Sequence, residues 1–192
     1  MDIKKTANSF ANFTIKRIAE IFGITVFCGG ILLLLALITY SPEDPNFIFP
    51  ENTKIKNILG FQGSFVSDVF FQSIGLVSYF FSFTLIVTGI NIIRSKEFFL
   101  IIENIFFAIL YSILGTLFFA HFYSETFALY INGNGGFVGN YLNQTFLNSI
   151  ILINEVIFYY FLIISNIFLF LISINFHPIK FYKLIKSLNK FF

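Results

Sequence analysis

The chain has 192 residues, 57% hydrophobic and only 11% charged, with a mean hydropathy of +0.83. Soluble globular domains carry about 25% charged residues, so this composition excludes them and leaves a membrane protein. The net charge of +2 is too small to speak for nucleic-acid binding, and the lysines sit where anionic lipid headgroups attract them.

Residues 1–17 form a short lead in which Phe10, Phe13 and Ile15 alternate with Lys and Asn, a pattern suited to the inner leaflet surface. Four apolar stretches follow, at residues 18–40, 69–93, 98–122 and 150–176. Each reaches the ~20 residues that a helix needs to cross hydrocarbon. The expected fold is therefore all-α, a four-transmembrane-helix bundle. Ten of the twelve basic residues fall before the first span, between the second and third, or after the fourth. Only Lys54 and Lys56 lie on the other side. Positive flanks stay cytoplasmic, so both termini are expected in the cytoplasm.

Span one carries Ala19, Gly23 and Gly30 on one stripe, and its single Cys28 reads as an inert packing residue. Span two repeats the device with Gly75, Ser78, Ser82 and Gly89, and span three with Asn104, Ala108, Ser112 and Gly115. Small residues on a stripe let helix backbones approach closely in lipid, where no hydrophobic force drives association. Whether the contact lies within one chain or between chains stays open. Phenylalanine occurs 31 times and tryptophan never. The Phe residues occupy every span rather than one face, which reads as compositional bias and not as a ligand path.

Between spans one and two, residues 41–68 hold Pro42, Pro45 and Pro50 with Glu43, Asp44 and Glu51. Proline cannot continue a helix, so Tyr40-Ser41-Pro42 ends span one and opens a short ordered turn on the outer face. Between spans three and four, Asn132-Gly133-Asn134-Gly135-Gly136 leads into a short helix in the outer interface or dipping back into the bundle. This cluster is no phosphate loop. No Lys or Arg occurs between Lys96 and Lys180, and Val138 stands where a third dinucleotide-binding glycine belongs. The tail, residues 177–192, places Lys180, Lys183, Lys186 and Lys190 opposite Phe181, Leu184, Ile185, Leu188, Phe191 and Phe192, the pattern of an interfacial helix.

Three carboxylates fall within the spans, and an ionisable group in a membrane helix is a functional candidate by default. Glu20 and Glu103 lie near the cytoplasmic ends, beside Arg17 and beside Arg94 and Lys96 respectively. Glu155 lies about one turn from the outer end of span four, on a face shared with Tyr159, Asn166 and Ser173. None reaches the midplane, which favours pairing at the interface over proton relay. His121 and His177 lie at opposite ends of their spans and cannot share a metal. Neither a catalytic constellation nor a cofactor motif is expected.

The stretch Leu37-Ile38-Thr39-Tyr40-Ser41-Pro42-Glu43-Asp44-Pro45-Asn46-Phe47 resembles the "YSPxDPS-aromatic" close of the first helix in FtsK-type DNA translocases. Asn57-Ile58-Leu59-Gly60, with Gly63, Asp68, Phe70, Phe71, Gly75 and Tyr79, is similar to that family's approach to its second helix, and residues 135–139 to its "G-G-x-x-G". The resemblance covers residues 18–176. It implies a membrane anchor and assembly module in the bacterial inner membrane at the division septum, coupling cell division to chromosome segregation. Its implied partners are the lipid bilayer, further copies of the chain and divisome membrane proteins. DNA would be reached only through a motor domain that these residues do not contain. The alternative is a small ion or proton transporter subunit using Glu103 or Glu155, against which stands the absence of a midplane charge or a broken helix.

The charge asymmetry makes a direct prediction. Reporters fused at residue 50 and at residue 192 should report opposite sides of the membrane, and two cytoplasmic signals would refute the topology.

Overall fold

The computed structural model describes residues 3–45, 54–124 and 132–178. The amphipathic tail from residue 179 onward, with Pro50, Glu51, Asn46 and Phe47, lies outside them. Among the described residues every regular element is helical: α1 Ile3–Ile38, α2 Gly60–Ile74, a single 3-10 turn Gly75–Val77, α3 Ser78–Ser95, α4 Leu100–Phe122, α5 Gly136–Asn143, α6 Phe146–Ile153 and α7 Glu155–Ser173. Four stretches are long and apolar enough to cross a membrane: Phe10–Ile38, Gly60–Ser95, Leu100–Phe122 and Glu155–Ser173.

Several boundaries differ from the sequence reading. From Ile3 the lead expected over residues 1–17 is continuous with span one in a single helix that ends at Ile38, not residue 40. The second apolar stretch begins at Gly60, not residue 69, and it is broken. Gly75 adopts φ +58, a conformation open to glycine without strain, and the helix restarts at Ser78. With 18 residues α3 is about 27 Å long, enough to cross hydrocarbon alone. The second apolar stretch is thus an interrupted helix, against the expectation of unbroken spans. The loop expected over residues 41–68 is shorter, because its last nine residues are already helical. The fourth span begins at Glu155 rather than residue 150. Asn154 leaves the helical region and caps α7, its Oδ1 accepting from the Ile157 N–H at 3.1 Å, which assigns residues 150–153 to α6.

The spans associate as two pairs, α1 on α3 and α4 on α7, joined where α3 meets α4. Glycine makes the first pair possible. A methyl group on Gly89 would stand 2.5 Å from the Phe27 amide nitrogen and 2.7 Å from the Gly23 carbonyl oxygen. One on Gly30 would stand 2.8 Å from the Ile86 nitrogen. The small stripes of spans one and two thus meet within one chain, and Ala19 is fully buried beside them. Cys28 is off that stripe and exposed, contrary to its expected packing role.

The second pair and its junction with α3 are polar inside. Thr84 Oγ1 lies 3.0 Å from both Tyr111 Oη and Ser173 Oγ. Asn104 Nδ2 donates to Thr88 Oγ1 at 2.8 Å, and its Oδ1 accepts from Asn175 Nδ2 at 2.7 Å. In hydrocarbon an unpaired polar group is costly, so these hydroxyls and amides pair with one another, Ser112 Oγ being an exception. Such interhelical bonds contribute on average about 0.6 kcal/mol each. At the opposite edge Glu20 takes Arg17 and Lys96 together, each at 2.5 Å, tying the start of the first span to the end of α3.

Substituting Gly89 with Ala should destabilise the α1–α3 pair by about 1–3 kcal/mol through overpacking. Gly29→Ala is the control, because a methyl there meets nothing within 4 Å. Unfolding in mixed detergent micelles should separate the two, and equal midpoints would show that the helices do not meet at Gly89.

Candidate functional site

The residues that carry the family resemblance assemble at one end of the bundle, opposite Lys96, into a hydrogen-bonded cap. It begins where Pro42 stops α1. Asp44 is buried, and its carboxylate accepts from two successive backbone amides, Lys56 N–H to Oδ1 and Asn57 N–H to Oδ2, both at 2.8 Å. Asn57 is buried in turn. Its Nδ2 donates to the Ala36 carbonyl at 2.8 Å, satisfying one of the last acceptors of α1, and its Oδ1 receives the Leu59 N–H at 3.1 Å. Gly63 is required beside it, because a side chain there would overlap the Asn57 amide. Ser64 Oγ donates to the Pro45 carbonyl at 3.3 Å. At the rim, exposed Glu43 and Lys56 form an ion pair at 2.5 Å that lowers the carboxyl pKa and raises that of the ammonium.

A second tier joins α2 to α1 and α5. Tyr40 Oη donates to Asp68 Oδ1 at 3.0 Å while its ring packs 4.8 Å from that of Phe71. Gln72 Nε2 reaches the same oxygen at 3.5 Å, and Gln72 Oε1 accepts from the Asn132 backbone at 3.2 Å and its side chain at 3.1 Å. Asn140 Nδ2 donates to the Asn132 carbonyl at 2.8 Å.

The third tier is a glycine joint. Leu76 N–H donates to the Asn134 carbonyl at 3.0 Å, so the break after α2 is sealed by the segment entering α5. A methyl on Gly136 would stand 2.6 Å from the Gly75 nitrogen and the Ser73 oxygen. One on Gly135 would stand 2.6 Å from the Thr116 oxygen and the Ala120 methyl. Helix α5 therefore packs against α4 one to two turns inside its end. Asn134 Nδ2 donates to the Tyr123 carbonyl, and its Oδ1 is buried without a protein partner. A buried acceptor of this kind ordinarily takes an ordered water.

The predicted site residues separate into groups. Tyr40, Asp44 and Pro45 are built into the cap, with Ser41 and Pro42 half-buried in its turn. The stripe of span two divides: Gly75 is the break, Gly89 meets α1, and Ser78 and Ser82 donate to carbonyls three residues back. Ala108 is buried in the α4 core, Ser112 Oγ is buried without a partner, and Gly115 meets Val77 and Asn166. The Asn166 amide, oriented to satisfy both neighbours, donates to the Tyr111 carbonyl at 3.2 Å and accepts from the Gly115 N–H at 2.7 Å.

Glu20 is paired with Arg17 as expected, and with Lys96 besides. Glu103 is exposed in the first turn of α4, and Lys96, one of its expected neighbours, goes to Glu20 instead. Glu155 is the exposed first residue of α7, not one turn inside a span. Its shared face holds only from Tyr159, which bonds Tyr123 Oη at 2.8 Å, to Ser173. Gln72 and Asn140 are not among the site residues expected from sequence, and Asn132 is expected only as part of the glycine turn. Their signal is the density of amide side chains beside glycines, the residue types that answer backbone groups outside helices.

Removing the Asp44 carboxylate would orphan the buried Asn57 amide and the part-buried Lys56 amide. Asp44→Ala should cost about 2–4 kcal/mol, whereas Asp44→Asn, which keeps one acceptor, should cost less. Thermal unfolding in detergent tests the order, and a neutral Asp44→Ala would show that the turn does not depend on this carboxylate.

The comparisons with known proteins agree with this geometry. The family model described as the 4TM region of DNA translocase FtsK/SpoIIIE matches residues 15–182, which include every cap residue, the last three spans and the first from residue 15 onward. A DNA translocase FtsK of Rhizobium meliloti (strain 1021) is 26% identical over 98 residues, 51% of this chain and 11% of that protein. The DNA translocase FtsK of Caulobacter vibrioides (strain ATCC 19089 / CIP 103742 / CB 15) is 36% identical over 68 residues, 35% of this chain and 8% of that protein. The chain thus aligns with about a tenth of the length of these relatives. No solved structure matches it significantly. With the model spanning well over half of the residues, the chain belongs to the family of the four-transmembrane-helix region of the FtsK/SpoIIIE DNA translocases.

Proposed function

We propose that these residues are the membrane anchor and assembly module of a septal DNA translocase, coupling cell division to chromosome segregation. The observation that carries the reading is the family match over residues 15–182, because the residues behind the resemblance are the ones that hold the cap. Among the described residues, the cap's buried acids Asp44 and Asp68 are occupied by backbone amides and a tyrosine hydroxyl, and Glu43 at the rim is paired with Lys56. What it offers is a rigid surface, suited to docking against other membrane proteins of the division machinery. Both termini would lie in the cytoplasm, where the basic tail leads toward a motor acting on DNA. Copies of the chain would associate through lipid-facing surfaces such as that of α7, of which only about a tenth is buried.

The transporter reading would use the break at Gly75, since interrupted helices form ion sites in transporters. That break has its backbone groups occupied, with Leu76 N–H on Asn134 and the Gly75 carbonyl on Ser78 Oγ. Glu103 and Glu155 are exposed, and neither is among the groups bonded at the break. The anchor reading is therefore preferred.

A fluorescent fusion to the full chain should concentrate at division sites. Substituting Gly136 with Val, which drives a side chain into Gly75 and Ser73, should disperse that signal while membrane insertion persists. Uniform fluorescence of the unsubstituted chain around the cell would refute septal anchoring.

A further inference from the structure

The cap leaves unexplained a large pocket at the other end of the bundle. It has a volume of about 570 Å³ and lies where α3 and α7 end and α4 begins. That volume falls within the range of small-molecule sites. The walls divide by chemistry. Val87, Leu100 and Ile174 supply an apolar part, while Arg94, Glu97 and His177 supply charged or titratable groups. The polar floor is internally satisfied, since Asn91 Nδ2 donates to the Ile174 carbonyl at 3.3 Å and Asn175 bonds Asn104. Among the described residues, neither the guanidinium of Arg94 nor the carboxylate of Glu97 enters an ion pair, although neighbouring Lys96 is committed to Glu20.

An amphipathic pocket at a membrane boundary, whose Arg94 and Glu97 enter no ion pair among the described residues, is complementary to a zwitterion. We propose that it holds the headgroup of a glycerophospholipid bearing a primary ammonium, with its phosphate on Arg94 and its ammonium on Glu97. The acyl chains leave past Val87 and Leu100 into the bilayer. Arginine suits the phosphate, because its fork of donors matches two oxygens at once. The opposite charge has two sources of attraction. Glu97 supplies a carboxylate, and the C-terminal ends of α3 and α7 each contribute about half an elementary negative charge from the helix dipole, together outweighing the half positive charge at the N-terminus of α4. The same features disfavour a headgroup that carries only negative charge.

Native mass spectrometry of the full chain in detergent, with defined lipids at equal concentration, tests this. Phosphatidylethanolamine should be retained in preference to phosphatidylglycerol and to phosphatidylcholine, whose quaternary ammonium cannot donate a hydrogen bond. Arg94→Gln should weaken ethanolamine-lipid retention about tenfold, a reasonable effect for one charge-assisted contact. Glu97→Gln should abolish the preference for ethanolamine over glycerol. Both side chains are exposed, so neither substitution threatens folding. The assignment is overturned if phosphatidylglycerol is held as well as phosphatidylethanolamine, or if Arg94→Gln retains lipid undiminished. It is overturned equally if millimolar inorganic phosphate displaces the lipid, which would identify a site for free phosphate.

Discussion

Two stretches of backbone touch at Gly75 and Gly136, and the rest of the cap is arranged around that contact. Neither residue can carry a side chain there, because the opposing atoms are main-chain nitrogen and oxygen that have nowhere to move. The contact converts a break in the second apolar stretch into a joint: the amide freed at Leu76 is taken up by the carbonyl of Asn134. Inside a membrane this is the condition for tolerating irregular backbone at all, since lipid cannot supply the missing hydrogen bonds. The joint also forces α5 inward, against Thr116 and Ala120 of α4, and so brings Asn132 within reach of Gln72.

The bundle below the cap is organised by the same constraint expressed in side chains. Where α1 meets α3, Gly23, Gly30 and Gly89 let the backbones approach closely, with Leu33, Leu85, Ile86 and Ile93 packed around them. Where α3, α4 and α7 meet, the surfaces carry Thr84, Thr88, Asn104, Tyr111, Ser173 and Asn175, each paired with another of the set. Outward, the same helices show Phe80, Phe83, Phe99, Phe106, Ile164 and Phe168. A soluble protein would bury such residues, and here they face lipid. The inversion is what a hydrocarbon solvent demands: polar groups gather inside because outside offers them nothing.

Much of this was legible in the chain. Apolar runs of sufficient length announced four crossing helices, and the small-residue stripes announced close packing. The Tyr-Ser-Pro turn and the glycine pair announced the family. Other features could not be read that way. The break at Gly75 sits inside an unbroken apolar run, so hydropathy shows no boundary. Its cause is the Asn134 carbonyl some sixty residues away in sequence. The start of α7 was misplaced for a related reason. Residues 150–153 are as apolar as the span that follows, and only the cap at Asn154 divides the two helices.

By itself the sequence determined which residues must leave water, how many times the chain could cross a bilayer, and which short motifs relate it to its family. Those properties depend on composition and on near neighbours, which a linear string records in full. The tertiary structure alone decided which glycines meet, which carbonyls need an amide side chain, and which carboxylates find a partner. Each of those outcomes depends on groups distant along the chain arriving within about 3 Å of one another, and no local pattern encodes that distance.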